Sequence, residues 1–162
     1  MIKIGLLSDT HGFFDPQLYD FFKDVQEIWH AGDIGNYNVV EEIRNNWSLR
    51  AVYGNIDGQD IRQVYKRDIR FNCEKVDVLL THIGGYPNKY EKRIKEIIQI
   101  NSPDLFICGH SHILKIIYDD KYQLLHINPG AAGKYGIQKK RTAIRFQINE
   151  NDIEQLEIIE LS

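Results

Sequence analysis

Seven side chains with metal-binding donor atoms follow short apolar runs in this sequence. They are Asp9, His11, Asp33, Asn55, His82, His110 and His112. Two carboxylates, one amide and four imidazoles exceed the needs of a single ion with four to six ligands, so the set predicts two ions. Mixed nitrogen and oxygen donors favour manganese, iron, nickel or zinc over calcium or magnesium.

Two divalent ions about 3.5–4 Å apart need a shared carboxylate and a shared water. We expect Asp33 to be the shared carboxylate. The remaining ligands divide between the two ions: Asp9, His11 and His112 at the first, and Asn55, His82 and His110 at the second.

The charge of such a centre points to a phosphate substrate. Two divalent ions, two aspartates and one shared hydroxide leave a net charge of about +1, which attracts an anion. Metal ions also lower the pKa of a shared water toward ~7 and stabilise a leaving oxygen. Attack by that hydroxide on a phosphoester needs no nucleophile from the protein.

The surrounding residues predict the elements that must position these ligands. Apolar runs typical of buried strands span Ile2 to Leu7, Glu27 to Ala31 and Leu49 to Tyr53. Helical patterns lie between them, from an N-cap at Asp15 to Val25 and from Asn38 to Arg44. This order predicts a parallel sheet, and ligands of such sheets bind beyond the carboxyl ends of the strands.

The second half of the chain predicts further strands and one clear helix. Strand patterns cover residues 68–73, 76–80, 105–108, 113–118, 123–127, 142–148 and 153–159. The clearest helical pattern runs from Lys89 to Ile100, with Tyr90, Ile94 and Ile98 on one face. Two sheets packed face to face with helices outside satisfy all of these patterns.

Composition limits the classes of protein to which the chain can belong. Its 162 residues suffice for a single domain over 1–162, and two cysteines, Cys73 and Cys108, are expected as free buried thiols. The net charge of −3, with no basic run longer than Lys139-Lys140-Arg141, argues against a long nucleic acid as partner. No apolar run approaches the ~20 residues of a membrane span. The sequence predicts a cytoplasmic protein and leaves homo-oligomers open.

Six motifs carry a family resemblance: Asp9-x-His11-Gly12, Gly32-Asp33, Gly54-Asn55-x-Asp57, Thr81-His82-x-Gly84, Gly109-His110-Ser111-His112 and Asn128-Pro129-Gly130. The chain resembles the calcineurin-like metallophosphoesterase superfamily. In length it is similar to the small YfcE-like phosphodiesterase branch, whose fold is shared by the retromer subunit Vps29. The resemblance implies an α/β fold, a four-layer αββα sandwich of two mixed β-sheets flanked by helices. It also implies two divalent ions, most often manganese or nickel with zinc or iron as alternatives, and hydrolysis of a small or nucleotide-like phosphodiester.

The expected catalytic residues are Asp33, Asn55 and His82, joined by Asp57 as an orienting group rather than a ligand. Ile56 stands where many superfamily members have a histidine that assists at the phosphate. Isoleucine cannot donate a proton, which favours diesters with acidic leaving groups over monoesters. A phosphomonoesterase is one alternative. A non-catalytic protein-interaction module of the same fold is the other, and the complete set of ligands argues against it.

Two further histidines lie outside the ligand set. His30 lies inside an apolar strand, where we expect a hydrogen-bonded core residue. His126 stands at a strand end just before Asn128. A core position and an outer contact of the site are both open for it.

Overall fold

The computed structural model describes residues 1–162, which form twelve strands and four helices. The first half contains β1 (Ile2–Leu7), α1 (Gln17–Phe21), β2 (Glu27–His30), α2 (Tyr37–Arg44), β3 (Ser48–Ala51), α3 (Gln59–Arg62), β4 (Asp68–Cys73) and β5 (Val76–Thr81). The second half contains β6 (Gly85–Tyr86), β7 (Lys89–Tyr90), α4 (Lys92–Ile100), β8 (Leu105–Ile107), β9 (Leu114–Asp119), β10 (Leu124–Pro129), β11 (Arg141–Asn149) and β12 (Asp152–Leu161).

The first sheet has the strand order β12-β11-β1-β2-β3. Strands β1, β2 and β3 are parallel, as the alternation of strands and helices predicts, because a crossover helix returns the chain to the same end of the sheet. The β11–β12 hairpin adds to the free side of β1 in antiparallel orientation. This sheet is therefore mixed.

The second sheet has the order β4-β5-β8-β10-β9 and is mixed in the same way. Strands β5, β8 and β10 are parallel, and β4 and β9 join the two edges through hairpins. The predicted ligands follow the carboxyl ends of β1, β2 and β3 in the first sheet and of β5 and β8 in the second. They can form one site only if the packing of the two sheets brings those strand ends to the same edge of the sandwich.

Three apolar cores separate the layers. Side chains on one face of each sheet, such as Leu6 and Leu80, form the core between the sheets. Leu7, next to Leu6, points the other way and packs against the layer of α1 and α2, as the two-residue period of a strand requires. Ile94 of α4 covers the outer face of the second sheet at Phe106. The predicted four-layer αββα arrangement is thus confirmed.

The predicted helix from Lys89 to Ile100 is wrong at its first turn. Lys89 and Tyr90 instead form β7, which pairs with β6. The helix begins at Lys92, because the carboxylate of Glu91 accepts a hydrogen bond from the backbone N–H of Ile94 (3.3 Å) and so caps it. The two-stranded β6–β7 hairpin was not predicted, and it forms a wall beside the site.

Helix α1 is shorter than its apolar stripe predicted. Regular helix covers only five residues, although Val25 at the end of the stripe is buried. After the helix the chain continues in turns, in which the backbone N–H of Val25 bonds to the carbonyl of Phe22 (3.1 Å). These turns keep the apolar side chains on the same face as a longer helix would have done. Asp15 still caps the start, since its Oδ1 accepts from the N–H of Gln17 (2.9 Å).

Other features differ less from the predictions. Strand β10 continues through Asn128 and ends at Pro129, so the Asn-Pro-Gly motif ends this strand rather than breaking it. Cys73 and Cys108 are both free and buried. None of the four helices has the length and apolar content that a membrane crossing requires.

Candidate functional site

The predicted ligands follow strands of both sheets and meet at one end of the sandwich. They form two clusters whose donor atoms lie within 4.8 Å of one another. The first cluster consists of Asp9, His11 and His112, and the second of Asp33, His82 and His110. Six of the seven predicted ligands lie in these clusters, and each cluster takes residues from both sheets.

The carboxylate of Asp33 lies between the two clusters. Its Oδ2 is 3.2 Å from Nε2 of His82, which is in the second cluster, and 3.7 Å from Nε2 of His11, which is in the first. Its other oxygen accepts a hydrogen bond from the backbone N–H of Ile56 (3.0 Å). One oxygen of Asp33 thus lies within 3.7 Å of an imidazole nitrogen in each cluster, and Oδ1 of Asp9 lies somewhat farther from the second cluster, at 3.9 Å from Nε2 of His82.

Asp9 is fully buried, and its two oxygens have different surroundings. One accepts hydrogen bonds from the hydroxyl of Ser8 (2.6 Å) and the backbone N–H of His110 (3.1 Å). The other faces Nε2 of His112 at 3.1 Å and Nε2 of His11 at 3.6 Å. Burial raises the pKa of Asp9, but the contacts with His11, His112, His82 and Ser8 outweigh burial and hold that pKa below its ordinary value.

Outer contacts fix the imidazoles of His82 and His112. Nδ1 of His82 donates to the carbonyl of Ala31 (2.8 Å), and Nδ1 of His112 donates to Oε1 of Gln138 (2.7 Å). The orientation of the Gln138 amide is set because its nitrogen donates to the carbonyls of Gly133 and Tyr135. When these rings are neutral, their single proton is on Nδ1, so Nε2 carries a lone pair. In both residues that lone pair faces a carboxylate oxygen.

These lone pairs fit a bound cation. Nε2 of His11 and Nε2 of His82 are buried and have no hydrogen-bond partner. Donor separations of 3.1–3.2 Å, as between His112 and Asp9 or His82 and Asp33, are those of two ligands at about 2.1 Å from an ion and at roughly a right angle. The residues present therefore suit divalent metal ions, and the structure has two candidate metal sites.

Asn55 lies at the outer side of the second cluster. Its Oδ1 is 3.1 Å from Nδ1 of His110, a spacing that also suits two ligands of one ion. Both side chains are largely exposed, unlike Asp9 and Asp33. The open side of the second cluster is thus the side from which a substrate has access.

Five of the seven predicted ligands have a left-handed backbone. The φ angles are 54° for Asp9, 47° for His11, 54° for Asp33, 71° for His110 and 62° for His112. This conformation is unfavourable for residues with a side chain. Backbone hydrogen bonds between the loops hold it, among them Asp9 N–H to Gly32 (2.9 Å) and His11 N–H to Asp33 (3.0 Å). The bent backbone directs side chains that are close together in the sequence toward the same metal-binding centre.

Asp57 lies beside the centre but belongs to neither cluster. Its carboxylate accepts three backbone hydrogen bonds, from Ile34 (3.2 Å), Gly35 (2.8 Å) and Gly54 (2.8 Å), and it is only 3% exposed. These bonds join the loop after β2 to the loop after β3. The side chain is therefore occupied with holding the loops that carry Asp33 and Asn55.

Sequence patterns did not indicate the contacts from the loop between β10 and β11. Gln138 orients His112, and the ring of Tyr135 lies 5.5 Å from that of His11. A glutamine and a tyrosine in a polar loop carry no spacing signal. Only the three-dimensional return of this loop to the centre shows their role.

His30 is the hydrogen-bonded core residue that was expected. Its Nε2 donates to the hydroxyl of Thr10 (2.9 Å), which itself donates to the carbonyl of Ile34 (2.8 Å), and its Nδ1 accepts from the N–H of Gly32. Burial lowers the pKa of His30 to about 4, so the ring is neutral near pH 7. Both ring nitrogens of His30 are thus hydrogen-bonded to the loops, which they stabilise, and neither is free to bind a metal ion.

Comparisons with known proteins agree with this geometry. A probable metallophosphoesterase of Methanocaldococcus jannaschii, MJ0623, is 29% identical over 133 residues, which is 79% of this chain and 67% of that protein. The structure of an archaeal phosphodiesterase superposes with a TM-score of 0.76 at 25% identity, over 99% of this chain and all of that one. Vps29 of Entamoeba histolytica in complex with zinc shares the fold, with a TM-score of 0.73 at 16% identity over 99% of this chain and 98% of that one.

The sequence profile of the calcineurin-like phosphoesterase superfamily domain matches residues 2–151, which is nearly the whole chain. This span includes every candidate ligand as well as the orienting contacts of Asp57 and Gln138. The chain therefore belongs to the calcineurin-like phosphoesterase superfamily.

Proposed function

We propose that this protein is a di-metal phosphodiesterase that hydrolyses a small or nucleotide-like phosphodiester. Members of its superfamily bind divalent metals, and the structure has two candidate sites. The observation that carries the proposal is Asp33, whose one oxygen lies within 3.7 Å of an unpartnered imidazole nitrogen in each cluster. Both nitrogens face carboxylate oxygens without forming a hydrogen bond, and a bound cation at each cluster would satisfy both kinds of group.

In this proposal Asp33 is a ligand of both ions. The others divide as predicted: Asp9, His11 and His112 hold one ion, and Asn55, His82 and His110 hold the other. Bound divalent ions supply an activated water and stabilise negative charge on the phosphoryl and leaving oxygens. Manganese or nickel suits the mixed donors, with zinc or iron as alternatives.

The protein residues position the reacting groups. Asn55 and His110 lie on the exposed side of the centre, where their donor atoms border the space for a phosphate. His82 is held by Ala31, which fixes the direction of its lone pair. Asp57, included among the expected catalytic residues, is a positioning residue in this proposal, because its three hydrogen bonds set the loops around Asp33.

Ile56 supports a diester rather than a monoester as substrate. Its side chain is 47% exposed at the rim of the centre, while its N–H is bound to Asp33. The rim position thus carries no group that can protonate a leaving oxygen. A diester with an acidic leaving group does not need that proton, whereas a poor leaving group does.

A non-catalytic module is the less favoured function. The likeness to Vps29 at 16% identity concerns the fold alone. A module that only binds other proteins has no use for left-handed ligand residues and unpartnered buried imidazoles, both of which destabilise the metal-free chain. The presence of both features in this chain favours a catalytic protein over a non-catalytic module.

The proposal also covers the setting of the reaction. The substrate is a small molecule, and a net charge of −3 disfavours long nucleic acid. We expect the whole chain to act as one domain in the cytoplasm, with or without assembly into a homo-oligomer.

The test is hydrolysis by metal-stripped protein reloaded separately with manganese, nickel, zinc or magnesium. A bis-aryl phosphodiester is compared with the aryl monoester that has the same leaving group. We expect metal-dependent turnover of the diester with little on the monoester. Preference for the monoester would support a phosphomonoesterase. No turnover with any metal, at two bound ions per chain, would support the non-catalytic module.

A further inference from the structure

A separate cleft of about 340 Å³ opens beside His110, on the side away from the first cluster. The β6–β7 hairpin forms one wall, and the residues after β8 with the start of β9 form the other. We call this space the hairpin cleft. Its lining includes Tyr86, Ser111, Ile113, Lys115, Lys89 and His126.

His126 offers this cleft a hydrogen-bond acceptor. The side chain is only 1% exposed, its ring stacks on Phe106, and its Nδ1 donates to the Phe106 carbonyl (3.2 Å). No protein group bonds to its Nε2. Burial, with a smaller contribution from Lys115, lowers the pKa of His126 to about 4, so this nitrogen carries a lone pair near pH 7.

Ser111 offers a donor at the same cleft. Its oxygen already accepts two hydrogen bonds, from Nδ2 of Asn128 (3.0 Å) and the backbone N–H of Ile113 (3.2 Å). The amide of Asn128 cannot flip, because its Oδ1 accepts from the N–H of Gly130 (3.0 Å). The hydroxyl proton of Ser111 has no protein acceptor and remains available.

Apolar and charged groups complete the lining, and the one carboxylate among them, that of Glu91, already accepts from the backbone N–H of Ile94 at the start of α4 (3.3 Å). Tyr86 and Ile113 are 39% and 61% exposed, so flat apolar surface faces the solvent beside the acceptor and the donor. The ammonium group of Lys115 lies 4.0 Å from the centre of the Tyr86 ring. Lys89 lies on the β6–β7 hairpin, as Tyr86 does, and also lines the cleft. A heteroaromatic ring with a donor and an acceptor on its edge, attached to an anionic ester, satisfies all of these groups.

We propose that the hairpin cleft binds the nucleobase of a nucleotide-type phosphodiester whose phosphate lies at the adjacent metal centre. Nε2 of His126 accepts from an N–H of the base, and the hydroxyl of Ser111 donates to a ring or carbonyl acceptor. This inference rests on the proposed phosphodiesterase function and specifies one of the two ester groups of its substrate. Lys115 and Lys89 favour the anionic side of the same molecule.

The test compares two diesters that differ only in the group bound by the cleft. Thymidine 5′-(4-nitrophenyl phosphate) and methyl 4-nitrophenyl phosphate have the same leaving group, and both are assayed with the metal-loaded protein. We expect a higher kcat/KM for the thymidine ester. His126→Phe and Ser111→Ala should each reduce that preference about 3- to 10-fold, the effect of one lost hydrogen bond. Ser102→Ala removes a hydroxyl outside the cleft and should leave the preference unchanged.

A binding measurement separates this inference from the proposed function. Thymidine monophosphate is titrated into the metal-loaded protein while the imidazole resonances of His126 are followed by NMR, with inorganic pyrophosphate as a parallel probe. A shift with the nucleotide supports the base site even if neither diester is hydrolysed, an outcome that would contradict only the proposed function. Equal hydrolysis of both diesters with no shift, or a shift with pyrophosphate alone, would overturn the base site and leave the phosphodiesterase standing.

Discussion

Oδ2 of Asp33 lies 3.2 Å from Nε2 of His82, and this contact joins the carboxyl end of β2 in one sheet to that of β5 in the other. The imidazole is held from behind by Ala31, so its lone pair faces the carboxylate. Two groups that both offer lone pairs repel each other unless a cation lies between them. In the proposed di-metal centre, the packing of the two sheets and the binding of metal are therefore coupled at this pair of residues.

Replacement of Asp33 by Asn tests that coupling. Asp33→Asn removes the negative charge nearest to both clusters, and we expect loss of metal together with a fall in diester turnover of about 100-fold or more. Metal content by elemental analysis and turnover in the same preparation are the measurements. Asp24→Asn makes the same chemical change on the exposed surface and should change neither. Near-normal turnover of Asp33→Asn would contradict the shared-carboxylate assignment.

Gln138 is predicted to act on metal affinity through His112. Gln138→Ala removes the acceptor for Nδ1–H, so the ring loses the contact that fixes its tautomer. We expect about 10- to 100-fold weaker metal binding, measured by competition with a chelator dye, with much smaller change in stability of the metal-free protein. Gln138→Glu keeps the acceptor for His112 but loses the two donors to the carbonyls of Gly133 and Tyr135, so it should restore the affinity only in part, whereas exposed Gln63→Ala should have no effect. Unchanged metal affinity in Gln138→Ala would contradict the positioning role.

A histidine at position 56 should change the preference between substrates. Ile56 is exposed at the rim, so Ile56→His has room for an imidazole that can protonate a leaving oxygen. We expect the ratio of monoester to diester turnover to rise about 10-fold or more. Val64→His introduces the same group at an exposed site distant from the ligands and serves as the control. An unchanged ratio would show that a proton donor at this rim position does not limit monoester hydrolysis.

The buried His126 should make the fold sensitive to acid. Burial lowers its pKa from an ordinary 6.5 to about 4, and the charged groups around it are Lys115 and Asp119. Between these values the unfolded chain binds more protons, so the free energy of unfolding falls as the pH falls from about 6.5 to about 4. The part due to this residue is about 2 kcal/mol between pH 7 and pH 5.

Urea unfolding of the metal-loaded protein at pH 7 and pH 5 measures this loss. His126→Phe keeps an aromatic ring on Phe106, and it should reduce the loss of stability by that amount. His30 has a pKa lowered in the same direction but is present in both proteins, so its effect cancels from the difference. An equal loss in both proteins would show that His126 already titrates near its ordinary pKa.

The candidate ligands could be recognised in the sequence because each follows an apolar run. Leu6 and Leu7 before Asp9, or Leu79 and Leu80 before His82, mark strands whose polar successors must lie at a sheet edge. Local pattern is enough for that inference. The strands β4, β5, β11 and β12 were predicted from local pattern as well, and short turns join them into two hairpins.

Other features depend on contacts between distant parts of the chain. The left-handed φ of Asp9 or His110 depends on hydrogen bonds to other loops, because positive φ is uncommon even for aspartate and histidine, which tolerate it better than most residues. The β6–β7 hairpin was taken for helix because Tyr90 and Ile94 fit a helical spacing, whereas the cap at Glu91 and the pairing with Gly85 decide otherwise. Gln138 reaches His112 from 26 residues away.

The left-handed ligand residues have a consequence for how such a chain changes under mutation. Glycine adopts this conformation most readily, so His11→Gly or Asp33→Gly relieves backbone strain and removes a polar side chain at the same time. Loss of a ligand is then favourable for folding of the metal-free chain. Under the proposed function, selection for catalysis is what keeps these residues in place against that gain in stability.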